Sequence, residues 1–458
     1  MNLNGEIMLK MNRQRYLIIF SLFTLFLQPP LAFSDQKTDL LSAVYQGDYK
    51  EVGNLLSEGV DLESRTAKGS TALIVAVAGK HHRIADLLLA RGAEVNARNR
   101  YDDTALILAS TVGDNGLVKM LLDQGADINA RNMYGWSSLA RAVRYGHEET
   151  VKRLIARGAD LESTIKGGST PLLIAIGENH FGVVHELVER KANVNVQNQQ
   201  GMTPLQQAVF TRRSDIIKLL LEHEANPENI NSAGDTVLAL ATARGLTDCM
   251  QVLIEGGADI HAKNNKGWTA LAQAAKHGQT EAAKILLAHK ADVNTKSNGG
   301  STPLMLAAQL GNIEFVRTLL ERGADLNAKS KNGASALMSA VAGGNSQMVQ
   351  ELIASGADIN VRLENGSTVL MVAAERGQIE TVHVLLQHGA DIHIRSKKGW
   401  TPLMGAVAGG YPDLTRLLLQ KGVDPDARSR NGWTALKIAS QFEHKEMVAV
   451  LKEAGVRE

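Results

Sequence analysis

The chain has 458 residues, of which 44% are hydrophobic but only 4% aromatic, so any core must be filled by small aliphatic side chains. Its 49 Lys and Arg nearly balance 48 Asp and Glu, and a formal net charge of +1 gives no global preference for nucleic acid or an anionic membrane. Cys249 is the only cysteine, which excludes an intrachain disulfide.

Residues 1–34 read as a secretory signal peptide. Lys10, Arg13 and Arg15 form a basic segment, Tyr16 to Leu27 an apolar run, Gln28-Pro29-Pro30 a break, and Ala32-Phe33-Ser34 a small-residue cleavage site. The run is short for a membrane span, which takes ~20 apolar residues; an uncleaved anchor is the other reading. No cysteine follows the run closely, which argues against a lipoprotein.

From residue 37 a period of 33 takes over. Leu40, Leu73, Leu106, Leu139 and Leu172 continue without insertion or deletion through Leu304 to Leu436, and the third residue after each is alanine, from Ala43 to Ala439. A fixed period of this length means a stacked solenoid rather than several globular domains. Residues 37–66 are a degenerate, polar first copy, 67–429 are eleven full copies and 430–458 are a polar last copy. End copies lack a neighbour on one side and need such faces.

Within each copy the local chemistry repeats. Thr or Ser stands two residues before the Leu, as in Thr71, Ser137 and Thr302, placed to cap a first helix. Pro171, Pro204, Pro303 and Pro402 follow it at the first helical position. Gly113, Gly146 and Gly311 end that helix; a second helix turns its Leu pair inward, as at Leu319-Leu320, and Gly323 and its equivalents give the left-handed backbone that stops it. Lys191, Glu224 and Lys290 replace this last Gly, and Asn179 and Arg212 replace the earlier one. Residues 172–230 are therefore expected to be the softest stretch.

Thr302-Pro303-Leu304 and Gly323-Ala324-Asp325-Leu326-Asn327 make the unit resemble the ankyrin repeat over residues 37–458. The resemblance implies an all-α solenoid of 12–13 helix-turn-helix units joined by β-turn or hairpin loops. It also implies protein recognition rather than catalysis. One departure is systematic: the His that often follows the Leu is replaced by Ile74, Ile107, Gln206, Met305, Met338, Met371 and Met404, where apolar packing is expected instead.

No phosphate-binding loop, nucleophile elbow or zinc-protease motif occurs, so no catalytic, cofactor or metal site is expected. His81-His82 reads as a solvated connection, His261 and His393 as turn residues four copies apart, and Cys249 as a buried small hydrophobe. Candidate partner-binding residues are large ones in slots where the register predicts exposure. All four tryptophans, Trp136, Trp268, Trp400 and Trp433, fall in one slot, which other copies fill with Ser169 or Ser301; the resemblance places it on the turn-tip edge. Packing over the adjacent turn is the competing reading. Around Leu139 the exposed slots hold Met133, Tyr134, Trp136, Arg144 and Tyr145, with Tyr101 on the preceding tip. Ala342-Gly343-Gly344 and Ala408-Gly409-Gly410 leave the concave side bare enough for a partner backbone. The 132-residue spacing of Trp136, Trp268 and Trp400 points to duplication of a four-copy block.

The sequence thus reads as an exported, monomeric, non-catalytic scaffold. It binds an unidentified protein, with no nucleic acid and no membrane contact beyond an uncleaved signal segment. The periplasm is the expected destination and secretion the second. A secreted effector acting on a host protein, or a small-molecule or glycan binder on the concave face, are the alternatives.

Overall fold

A computed structural model describes residues 36–456. The signal segment expected over residues 1–34 lies outside them. The described residues form 26 helices and no sheet, an all-α repeat solenoid. Its only extended pairings are isolated bridges flanking tips, such as Arg131 with Ser137. The chain divides into two compact units at Lys166–Gly167. The first holds the helix pairs from Gln36–Gln46 to Glu148–Ala156, the second those from Pro171–Gly177 to Lys445–Glu453.

The Leu304 copy shows how each pair is built. Thr302 adopts an extended backbone and its Oγ1 accepts the Met305 N–H at 3.3 Å, capping the helix Pro303–Leu310. Gly311 turns the chain at φ 80°, and Asn312 caps the helix Ile313–Glu321 by accepting the Phe315 N–H at 3.0 Å. Leu304, Ala307, Ala308, Phe315, Val316 and Leu319 are at most 1% exposed. Burying such a Leu stabilises by about 1.5–3 kcal/mol. Only the first of the Leu pair is core, because Leu320 is half-buried at the helix edge. Ile74, Ile107, Met305, Met338, Met371 and Met404 are buried, so apolar packing does occupy that slot. Gln206 instead closes a capping box with Thr203. Thr170 alone among the described Thr and Ser caps of the first helices makes no side-chain cap bond, and its Oγ1 is buried without a partner.

Neighbouring copies are tied in three ways. At the tips the backbone pairs directly: Lys331 N–H donates to Gly299 O at 2.9 Å, and Met133 N–H to Tyr101 O at 3.0 Å. In the loop after the second helix, Asn294 Oδ1 accepts the Asp325 N–H at 2.8 Å while its amide donates to Gly323 O at 3.1 Å. That double bond explains the Asn of the Gly-Ala-Asp-x-Asn motif, whose Asp325 in turn accepts the Asn327 N–H at 3.0 Å. In the first unit an arginine also reaches forward, Arg65 to Arg98 O at 2.6 Å and Arg98 to Arg131 O at 2.9 Å.

Residues 172–230 lack part of this. Lys191, Glu224, Asn179 and Arg212 all sit at positive φ, between 60° and 66°. Gln197 and Ile230 take the slot of the bridging arginines, and Ile230 is 53% exposed. The tip pairing is interrupted between Gln200 and Ser232, and a Cβ on Gly201 would meet nothing within 4 Å.

In the glycine rows Ala342-Gly343-Gly344 and Ala408-Gly409-Gly410, Gly343, Gly344 and Gly409 are exposed, and Gly343 and Gly409 also have a packing role. A Cβ on Gly343 would strike the carbonyl oxygen of Gln309, and one on Gly409 the ring of Tyr411 and, at 2.9 Å, the carbonyl of Glu375. These glycines let adjacent first helices approach. At the two ends, Gln46, Asp48, Lys50, Glu51, Lys437, Lys445 and Lys452 are exposed, as expected of terminal polar faces.

Candidate protein-binding surface

The tip of the Leu139 copy is shaped by Asn132. Its Oδ1 accepts the N–H groups of Tyr134 at 2.9 Å and Trp136 at 3.0 Å, and its amide donates to buried Asp103 at 2.8 Å. Asn99 closes the preceding tip the same way, accepting from Tyr101 at 2.8 Å and Asp103 at 2.9 Å. These bonds fix the backbone and leave the tip side chains outside. Tyr101, Met133, Tyr134 and Tyr145 are 38%, 43%, 47% and 36% exposed. They lie on two adjacent copies.

Trp136 and Arg144, expected to be exposed, are half-buried. The physical reason is a stack. The guanidinium of Arg141 lies 4.8 Å from the Trp136 ring and that of Arg144 5.2 Å, both rising from the first helix Ser138–Arg144. Lys166 approaches the Tyr134 ring at 5.9 Å, and the Tyr145 ring stacks on His147 at 6.1 Å. His147 in turn bonds Thr111 O at 3.0 Å, which anchors the stack to the preceding helix.

Arg141 was not singled out by sequence reasoning. The signal was available, because its slot holds Val75, Leu108, Ile174, Leu240 and Leu306 in other copies. Burial lowers its pKa from the usual guanidinium value, opposed chiefly by the charge of Asp103, and its Nε is buried without a hydrogen-bond partner.

Trp268, Trp400 and Trp433 are likewise half-buried rather than exposed. Trp268 has Lys276 at 4.7 Å and Lys266 at 5.8 Å, and Trp433 has Lys437 at 5.2 Å. The N–H of Trp268 is held by Asn264 at 3.0 Å, those of Trp400 and Trp433 by Ser396 and Ser429 at 3.1 and 3.0 Å.

Elsewhere the titratable groups have local tasks. His82 pairs with Asp114 at 2.8 Å, and the N–H groups of His261 and His393 bond the Asp two residues before, each at 2.8 Å. Cys249 is 3% exposed and burial raises its thiol pKa. Among the described residues no cluster of His, Cys, Asp and Glu could hold a metal ion, and no helix is long and apolar enough to cross a membrane.

Comparison with curated proteins finds no match. The family description "Ankyrin repeats (3 copies)" matches residues 40–132, 116–198, 139–232, 172–264, 238–330, 327–396 and 370–457. Those overlapping matches run from the first described core Leu to the end of the last helix pair, with the helix pairs, caps and tips found above, and the chain belongs to the ankyrin-repeat family.

Proposed function

We propose that this chain is a scaffold that recognises another protein through the tips and first helices of the Leu106 and Leu139 copies. Tyr101, Met133, Tyr134 and Tyr145 are the contact residues, with Trp136 and Arg144 beneath and beside them. The observation that carries this is the grouping of four exposed large apolar side chains on two adjacent copies of a chain so poor in aromatics. Exposed apolar groups on a hydrogen-bonded backbone make good anchors, because little is lost in ordering them. Trp268, Trp400 and Trp433 are secondary candidates in the equivalent slot. The basic and apolar segments of residues 10–27 support export, with the periplasm as destination.

Affinity capture with the exported chain tests this. Tyr134→Ala with Tyr145→Ala should weaken retention of the captured partner at least about tenfold with an unchanged melting temperature. Trp136 is left intact because half of it is packing. Undiminished capture by the double variant sinks this surface. Cell fractionation that finds the protein in the cytosol sinks the proposed destination.

A further inference from the structure

Four positions of the Trp136 tip have counterparts 132 residues later, while Tyr134, Arg141 and Tyr145 give way to Lys266, Gln273 and His277. Asp103 is matched by Asp235, Asn132 by Asn264, Trp136 by Trp268 and Arg144 by Lys276. The bonding recurs with the residues. Asn264 donates to Asp235 at 2.8 Å, as Asn132 does to Asp103, and accepts the Trp268 N–H at 3.0 Å, as Asn132 does that of Trp136. Each of these two tryptophans has two cations within 6 Å of its ring, a count that neither Trp400 nor Trp433 reaches among the described residues. At Trp400 and Trp433 the Asn is replaced by Ser396 and Ser429, and the preceding Asp by Ser367 and Trp400. The slot alone therefore does not produce the arrangement; the full set of residues does.

The charge at the second tip is unanswered. The carboxylate of Asp235 is taken by amides, those of Asn264 and Gln273 each at 2.8 Å and that of Asn231 at 3.5 Å. Lys266 and Lys276 are exposed and have no carboxylate within ion-pair distance among the described residues. Next to them Leu310, on the following copy, is 52% exposed and lies over the end of the same helix, where a Cβ on Gly278 would be 2.9 Å from its Cδ2. At the tip slots themselves the neighbours are uncharged, Ser232-Ala233 on one side and Asn298-Gly299 on the other, while Lys263, Lys296 and Lys329 recur in the loop before each tip. A nucleic-acid backbone would follow that row of cations and leave the leucine unused. A discrete pair of ammonium groups beside an aromatic ring and a bare leucine suits a short peptide with carboxylates next to an apolar residue.

We propose that the Trp268 tip is a second recognition site on the same four-position frame as the Trp136 tip, and that both take an acidic segment of a protein partner, its carboxylates at Lys266 and Lys276 or at Arg144 and an apolar side chain at the exposed Leu310 or Tyr145. For the Trp136 tip this rests on the reading given under Proposed function; for the Trp268 tip it stands on the recurrence and the charge.

The test is calorimetric titration of the full chain with a short peptide of alternating glutamate and leucine. A lysine–leucine peptide and an oligothymidylate of matching length serve as controls. Two acidic peptides should bind per chain, with one lost in Lys266→Glu/Lys276→Glu and the other in Arg144→Glu, each weakened at least about tenfold. Lys266 and Lys276 are exposed and Arg144 is half-buried, and an unchanged melting temperature confirms that each variant folds. A stoichiometry of one that Lys266→Glu/Lys276→Glu leaves untouched overturns the second site, as does equal binding of either control. Partner capture that depends on Tyr134 and Tyr145, with no peptide at Trp268, overturns this inference alone. Capture insensitive to Tyr134 and Tyr145, with a peptide still bound at Trp268, overturns the earlier reading and leaves the second site standing.

Discussion

The side-chain amide of Asn132 donates to the buried carboxylate of Asp103 across 2.8 Å, joining the tip of one repeat to the base of the tip before it. Asn132→Ala would remove this bond together with the two N–H groups that Asn132 accepts, and leave Asp103 buried with only Arg141 to answer its charge. A loss of about 1–3 kcal/mol is expected in chemical denaturation. Asn264→Ala should cost less, because Asp235 keeps Gln273 and is less buried. Equal losses would show that the buried charge is not the source.

Two glycines in the Leu304 copy, both left-handed, should respond differently to alanine. Gly323 at φ 83° has open space where a Cβ would stand, so only the backbone conformation resists, at about 1–2 kcal/mol. Gly300 at φ 80° would place its Cβ 2.8 Å from the backbone nitrogen of Lys331, against the bond that ties the tips together. Gly300→Ala should therefore cost clearly more than Gly323→Ala in the same denaturation experiment. The contrast fits Lys191, Glu224 and Lys290 occurring at the open slot against one non-glycine, Asp102, among the described tips, and Lys191→Gly should raise stability.

Hydrogen exchange should find residues 172–230 opening before residues 300–400. The tip bond is absent between Gln200 and Ser232, the bridging arginine slot is spent on Gln197 and Ile230, and four non-glycine residues are held left-handed. Equal protection in both stretches would rule this out.

Cys249 should resist thiol reagents in the folded chain. It is 3% exposed with a raised pKa, so both access and thiolate fraction are low. Its labelling rate should follow the opening of its helix, Thr247–Glu255, and rise with mild denaturant; rapid stoichiometric labelling of the native protein would contradict this.

The repeat was legible because its rules are local. A hydroxyl two residues before Leu304, a proline after it and a glycine at each helix end act within a few residues, and Thr302, Pro303, Gly311 and Gly323 do as expected. What escaped depends on the neighbouring copy. Gly343 is exposed as expected, but that the carbonyl of Gln309, 34 residues earlier, leaves no room for a side chain there cannot be read from sequence. Trp136 looked exposed because a slot does not show that Arg141 and Arg144 fold back over the ring. Arg141 was passed over because the one cation in a mostly aliphatic column, which also holds Gln207, Gln273 and Ser339, is noticed only when the copies are aligned column by column.

The tips are joined by main-chain bonds, Lys331 to Gly299 and Met133 to Tyr101, that ask nothing of the side chains except a left-handed residue beside them, Gly300 in one case and Asp102 in the other. Mounting and message are thereby separated. A tip sequence could be exchanged for that of another copy within the same unit, Ser330-Lys331-Asn332-Gly333-Ala334 for the five residues ending in Trp268, without altering how the layers join. Such an array can acquire a new partner by rewriting a handful of positions, or double an old one by copying a block, and keep its frame throughout.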